Sequence, residues 1–117
     1  MAIRNALASV AVSNLDAAVQ WYEKVLGKSA SRPMREVAEW SFERGGGLQV
    51  YQLDERAGRG SFTLAVSDME AQIAHLNSLN ITTAHRTATD KVKTVMITDP
   101  DGNHIAFAEA LDSSLIR

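Results

Sequence analysis

Ala11-Val12-Ser13-Asn14-Leu15-Asp16-Ala17 recurs 54 positions on as Ala65-Val66-Ser67-Asp68-Met69-Glu70-Ala71, seven consecutive places that agree as identities or near-isosteres. Each copy reads as the end of a strand, a helix cap and the first turn of an amphipathic helix. A repeat of about half a chain predicts two copies of one supersecondary unit, neither able to bury its own apolar face. Two such halves set together leave a seam, and a ligand is expected there.

Upstream of the first copy, Ala6-Leu7-Ala8-Ser9-Val10-Ala11-Val12 is an apolar run of strand length. Ser13 is placed as an N-cap with Asp16 three positions on. Leu15, Val19, Tyr22 and Leu26 then follow at i, i+4, i+7 and i+11, a helical stripe closed by Gly27. In the second copy Ser67 and Glu70 take the capping places, and Met69, Ile73 and Leu76 the stripe. His75 stands where Trp21 stood, and Asn80 is placed to close that helix.

After each helix the period changes to two. Ala38, Trp40 and Phe42 alternate with Glu39, Ser41 and Glu43, the pattern of a half-buried strand. Arg44-Gly45-Gly46-Gly47 is a turn, and Leu48 to Leu53 the returning strand. Lys91 to Thr98 is a Val-, Ile- and Thr-rich strand; Asp99-Pro100-Asp101-Gly102 is a strong turn signal, and Asn103 to Glu109 returns as a strand. Segments 28–34 and 81–87 supply the remaining strands. The expected organisation is a single α+β domain: a β-α-β-β-β module at 6–53, a linker at 54–60 carrying Gly58 and Gly60, a second such module at 61–109, and a tail at 110–117.

At 117 residues, 45% hydrophobic and 22% charged, the composition is that of an ordinary globular domain. A net charge of -2 gives no nucleic-acid footprint, which needs a basic face. No apolar run approaches the ~18 residues of a membrane span. The N-terminal Met1-Ala2-Ile3-Arg4-Asn5 lacks the pattern of a signal peptide, so a cytoplasmic location is expected. The absence of cysteine removes disulfides, thiolate metal sites and cysteine nucleophiles together.

The module order is joined by three local signatures. These are Val12-Ser13-Asn14-Leu15-Asp16-Ala17-Ala18 leading to Trp21-Tyr22-Glu23-Lys24-Val25-Leu26-Gly27, then Val66-Ser67-Asp68-Met69, and Asp99-Pro100-Asp101-Gly102-Asn103. In combination they resemble the vicinal oxygen chelate superfamily of glyoxalase I, extradiol dioxygenases and bleomycin-resistance proteins, over about residues 6 to 109. The resemblance implies two tandem modules forming a curved mixed sheet around a cleft, in a homodimer.

In the metalloenzymes of that superfamily four side chains, His, Glu or Gln, bind one divalent ion, in keeping with an O/N-ligated site. Carried onto this chain, the four positions are Leu7, Gln49, Ser61 and Ala106. Leucine and alanine donate nothing, serine is a poor ligand at neutral pH, and one amide oxygen cannot replace an ion's hydration shell. The expectation is no metal and no cofactor.

The same positions indicate which side chains should line the cleft, because residues two apart share a strand face. Gln49 brings Tyr51, Ser61 brings Thr63, and Ala106 brings His104 and Ala108. Thr94 and Met96 share a face, with Val95 and Ile97 backing the helix. Trp40 and Phe42 are expected inward as well, since Glu39 and Glu43 occupy their strand's other face. The expected cleft therefore comprises Trp40, Phe42, Gln49, Tyr51, Ser61, Thr63, Thr94, Met96 and His104, suited to a flat, partly apolar organic ligand. For Trp40, Phe42 and Met96 core filling is the competing reading.

His85 and His104 are the candidates for acid–base work, without a recognisable carboxylate partner, and no catalytic residue is assigned. Gly45-Gly46-Gly47 lacks the Lys and helix of a phosphate loop, and Asp99 and Asp101 serve the turn. The leading expectation is a metal-free binding protein of the bleomycin-resistance type that sequesters a small organic ligand. The alternative is a lyase, isomerase or dioxygenase of the same superfamily, with a non-standard metal site or His-based catalysis.

Overall fold

A computed structural model describes residues 2–117. The chain order is β1 (Leu7–Val12), α1 (Leu15–Leu26), β2 (Ser31–Met34), β3 (Val37–Ser41) and β4 (Gly47–Gln52), then a 3₁₀ turn at Asp54–Arg56. It continues as β5 (Ser61–Ala65), α2 (Met69–Ser78), β6 (His85–Ala88), β7 (Val92–Thr98) and β8 (His104–Ala110). The architecture is α+β, with β-α-β-β-β repeated in tandem. Each module forms a four-stranded mixed sheet, ordered β1-β4-β3-β2 in the first and β5-β8-β7-β6 in the second. The β1–β4 and β5–β8 pairs are parallel and the others antiparallel.

The chain divides into two compact units, one holding residues up to Gly60 together with Pro100–Asn103, the other Ser61–Asp99 and His104 onward. In the first, α1 lays Leu15, Ala18, Tyr22 and Val25 on the sheet, not the Val19 and Leu26 that a strict i, i+4 reading selects. Its partners are Ala38, Trp40, Leu48 and Val50, all buried. In the second unit Met69, Ile73 and Leu76 of α2 are buried with Phe62, Val95, Ile97, Ile105 and Phe107.

Both helices start one residue later than the serine caps suggest. Asn14, in extended backbone, accepts from the Ala17 amide at 3.1 Å, and Asp68 does the same for Ala71 at 3.1 Å. Ser13 is engaged elsewhere: its hydroxyl donates to Asp101 Oδ1 at 2.6 Å and its amide to Asp101 Oδ2 at 3.2 Å. A further orphan amide at each helix start finds a strand side chain, Leu15 N–H on Gln52 Oε1 (2.9 Å) and Met69 N–H on Glu109 Oε1 (2.8 Å). Gly27 closes α1 in the left-handed conformation its Cβ-free backbone permits, φ 66°. At the end of α2 the cap is Leu79, and Asn80 follows it at φ 60°.

The Pro100–Asn103 turn packs within the first unit although β7 and β8, which it joins, belong to the second. Asn103 is fully buried there, its Nδ2 donating to the Ala11 carbonyl at 2.9 Å and its Oδ1 accepting from the Gly60 amide at 2.8 Å. Gly58, at φ 82°, lies so near this turn that a Cβ would stand 2.2 Å from the Asp101 carbonyl oxygen. Among the described residues no helix is long and apolar enough to cross a membrane.

Candidate functional site

The helix-free face of the first sheet follows from its register. Ser9 pairs with Gln49 and Glu39 pairs with Gln49 from the other side, so these three side chains stand abreast on β1, β4 and β3. They are hydrogen-bonded in series: Ser9 Oγ donates to Gln49 Oε1 at 3.2 Å, and Gln49 Nε2 donates to Glu39 Oε2 at 3.0 Å. One step along, Tyr51 lies between Ala11 and Val37 with its ring half-buried. Leu7, at the near end of β1, is 47% exposed.

Trp40 does not belong to this face. It pairs with Leu48, on the helix side of the sheet, and is 1% exposed. Its ring lies 5.9 Å from that of Tyr22, and its Nε1 donates to the Lys28 carbonyl at 2.9 Å. Phe42, just beyond β3 and half-buried, closes the β3–β4 hairpin through its amide on the Gly46 carbonyl at 2.8 Å. The expectation that both aromatics point inward is therefore reversed for Trp40, and Glu39 takes the place assigned to it. The physical reason is area. Burying an indole against α1 gains far more than burying a carboxylate, whose desolvation only a hydrogen bond such as that from Gln49 offsets. Glu39 and Ser9 were missed: Ser9 follows by alternation from Leu7, whereas Glu39 is found only from the register of β3 against β4.

The second sheet presents its own helix-free face. Cross-strand neighbours there are His85, Met96, Ala106 and Thr63 in one row, and Thr98, His104 and Ser61 in the next. A third row holds Thr87, Thr94, Ala108 and Ala65, with the Thr87 and Thr94 hydroxyls hydrogen-bonded to each other. Val95 and Ile97 are buried on the helix side, whereas Met96 is 40% exposed. The structure thus brings Ser61, Thr63, Thr94, Met96, His104 and His85 to one surface. The three alanines between them keep that surface shallow.

The donor chemistry does not suit a divalent ion. At the four positions the resemblance points to, Leu7 and Ala106 have no lone pair to offer and Ser61 has only a hydroxyl. Gln49 holds its amide between Ser9 and Glu39. Among the described residues no three His, Cys, Asp or Glu side chains are grouped so as to hold a metal ion.

Beside Tyr51 the first unit contains a pocket of about 350 Å³, walled by β1 from Ser9 to Ala11 and rimmed by Glu55, Arg56, Arg59 and Gly60. The segment that forms the rim was read only as a linker, and nothing local in it signals a site.

The family model described as Glyoxalase/Bleomycin resistance protein/Dioxygenase superfamily matches residues 5–107. A glyoxalase/bleomycin resistance protein from Catenulispora acidiphila is 33% identical, with a TM-score of 0.82 over 92% of this chain and 99% of that one. TnmS3, an antibiotic binding protein from a Streptomyces species, is 23% identical with a TM-score of 0.80, covering 94% of this chain and 98% of that one. The oxidase ChaP-H2 is 15% identical with a TM-score of 0.75, over 93% and 94% of the two chains. The last two likenesses are of fold alone. No protein of curated function matches the sequence.

Proposed function

The chain belongs to the glyoxalase/bleomycin resistance protein/dioxygenase superfamily, and from that premise we propose that it binds a small organic molecule without a metal ion, as a homodimer. The observation that carries this reading is the character of the first sheet's open face. Where a metal-binding relative would converge donors, this chain has Leu7, and its neighbours Ser9, Gln49 and Glu39 spend their polar atoms on one another. Beside them Tyr51 offers a flat ring and a hydroxyl, the combination that holds an organic ligand by stacking and a few directed hydrogen bonds. On the second sheet Ser61, Thr63, Thr94, Met96 and His104 supply a similar mixture of hydroxyl, thioether and imidazole groups. TnmS3, an antibiotic binding protein, shares the fold, so a binding role is one that this fold can carry.

Screening the purified protein by thermal shift against antibiotics and metabolites will give stabilised hits. A ligand at 100 times its dissociation constant contributes about 2.7 kcal/mol. Tyr51→Ala will abolish the shift for those hits. Elemental analysis will find well under one equivalent of Fe, Mn, Ni or Zn. A near-stoichiometric metal whose removal by chelator abolishes an activity would return the protein to the enzymes of its family.

The homodimer reading is supported by apolar side chains on the open sheet faces, Leu7 at 47% and Met96 at 40% exposure, which pairing would cover. Sedimentation equilibrium at micromolar concentration will give twice the 12.7 kDa chain mass; a monomer there contradicts it.

A further inference from the structure

We infer that the ligand is an aromatic anion, a ring bearing a carboxylate, and that Arg56 and Arg59 receive its charge. The inference rests on the ligand-binding reading above and names the chemical class that reading leaves open. The pocket beside Tyr51 lies wholly within the first unit and, at about 350 Å³, is large enough for one or two fused rings. Its lining takes in β1 from Ser9 to Ala11 and Tyr51 of β4. A flat ring is the shape that stacks on the Tyr51 side chain.

Its rim is charged with the opposite sign to the rest of the chain. Arg56 and Arg59 stand at the two ends of one turn, closed by the Arg59 amide on the Arg56 carbonyl at 3.3 Å, and both line the pocket. Glu55 is the single carboxylate in the lining, so the lining carries two positive charges and one negative, +1, against -2 for the whole chain. Among the described residues neither guanidinium has an ion-pair or hydrogen-bond partner in the structure. A guanidinium presents parallel N–H donors that match the two oxygens of a carboxylate. A cationic ligand would meet two unpaired arginines.

A second pocket in the same unit provides the contrast. It measures about 410 Å³ and has Asp16, Arg32, Arg35 and Glu36 in its lining. Its charges balance, Arg32 approaches Asp16 at 3.5 Å, and no aromatic ring lines it. It lacks both halves of the recognition chemistry that the first pocket combines.

The test uses three probes of one shape and different charge: 2-naphthoate, 2-naphthamide and 2-naphthamidine, titrated calorimetrically into the full chain at low ionic strength. Naphthoate will bind about tenfold more tightly than naphthamide, and naphthamidine will bind most weakly. The double variant R56Q/R59Q, on an exposed rim where substitution leaves the core untouched, will erase the naphthoate advantage and leave naphthamide affinity unchanged. Added salt will weaken naphthoate alone. Naphthamidine binding as tightly as naphthoate, or a naphthoate affinity indifferent to R56Q/R59Q, overturns the inference while leaving the ligand-binding reading standing. If none of the three probes binds and Tyr51→Ala changes nothing in the wider screen, both fall together.

Discussion

Trp40→Ala will cost about 4 kcal/mol of stability, the order expected when a large aromatic is removed from a closed core. The indole is 1% exposed, touches the Tyr22 ring at a centroid distance of 5.9 Å, and satisfies the Lys28 carbonyl through Nε1. Because the cavity opens between α1 and its sheet, collapse would have to move the helix, which limits relaxation. Trp40→Phe will cost less, leaving the Lys28 carbonyl without its donor but filling most of the volume. Urea denaturation measures both. Trp40→Phe will also leave ligand-induced stabilisation intact, since the residue backs the sheet and does not face the proposed site. Loss of ligand response with unchanged stability in that variant would put Trp40 back among the binding residues.

Asn103→Ala will cost about 3 kcal/mol. Its amide spans two backbone groups of the first unit, donating to Ala11 and accepting from Gly60, and it is fully buried. Truncation leaves the buried Ala11 carbonyl and the part-buried Gly60 amide N–H without this partner, and a buried group left unsatisfied costs ~1–3 kcal/mol. The loss also releases the Pro100–Asn103 turn from the strand it is tied to, so the effect will exceed that of truncating an exposed turn asparagine. Equilibrium unfolding decides the point. A change below about 1 kcal/mol would mean that water replaces the side chain and that the turn is not a fixed part of the first unit.

These two residues also mark how far the sequence could be read. Both the alternation through Trp40 and the turn before Asn103 were visible, and β3 and the β7–β8 connection stand close to where they were expected. What alternation leaves open is phase: a period of two says that Trp40 and Glu39 lie on opposite faces, and nothing about which face meets a helix. The assumption that acidic residues face solvent chose wrongly for Glu39, because a neighbouring Gln49 amide makes its place on the open face acceptable. The second sheet was read correctly in phase because Val95 and Ile97 left no competing apolar face. The caps were misplaced by one residue for a similar reason. Ser13 is a good cap in isolation, but its hydroxyl is taken by Asp101, and Asn14 has the longer reach to the Ala17 amide.

The residues of the candidate site divide in the same way. Leu7 and Ala106 are donor-free by residue type, so the poverty of the metal positions needed no coordinates. Ser9, Gln49 and Glu39 as a hydrogen-bonded row required the register of three strands. Arg56 and Arg59 were invisible as site residues, because an arginine in a loop has no local mark that distinguishes a pocket rim from a solvated surface.

From its sequence alone, then, this protein was determined in the quantities that depend on near neighbours: two β-α-β-β-β modules, the helix and strand periods, the Asp99–Gly102 turn and the donor-free positions. The tertiary structure decided which face of β3 is core, what Asn103 holds together, and that Tyr51 shares a pocket with two arginines. Periodicity and residue type are local properties of the chain. Phase and partnership are settled by packing between separate segments, as between Tyr22 and Trp40 or between Gly60 and Asn103.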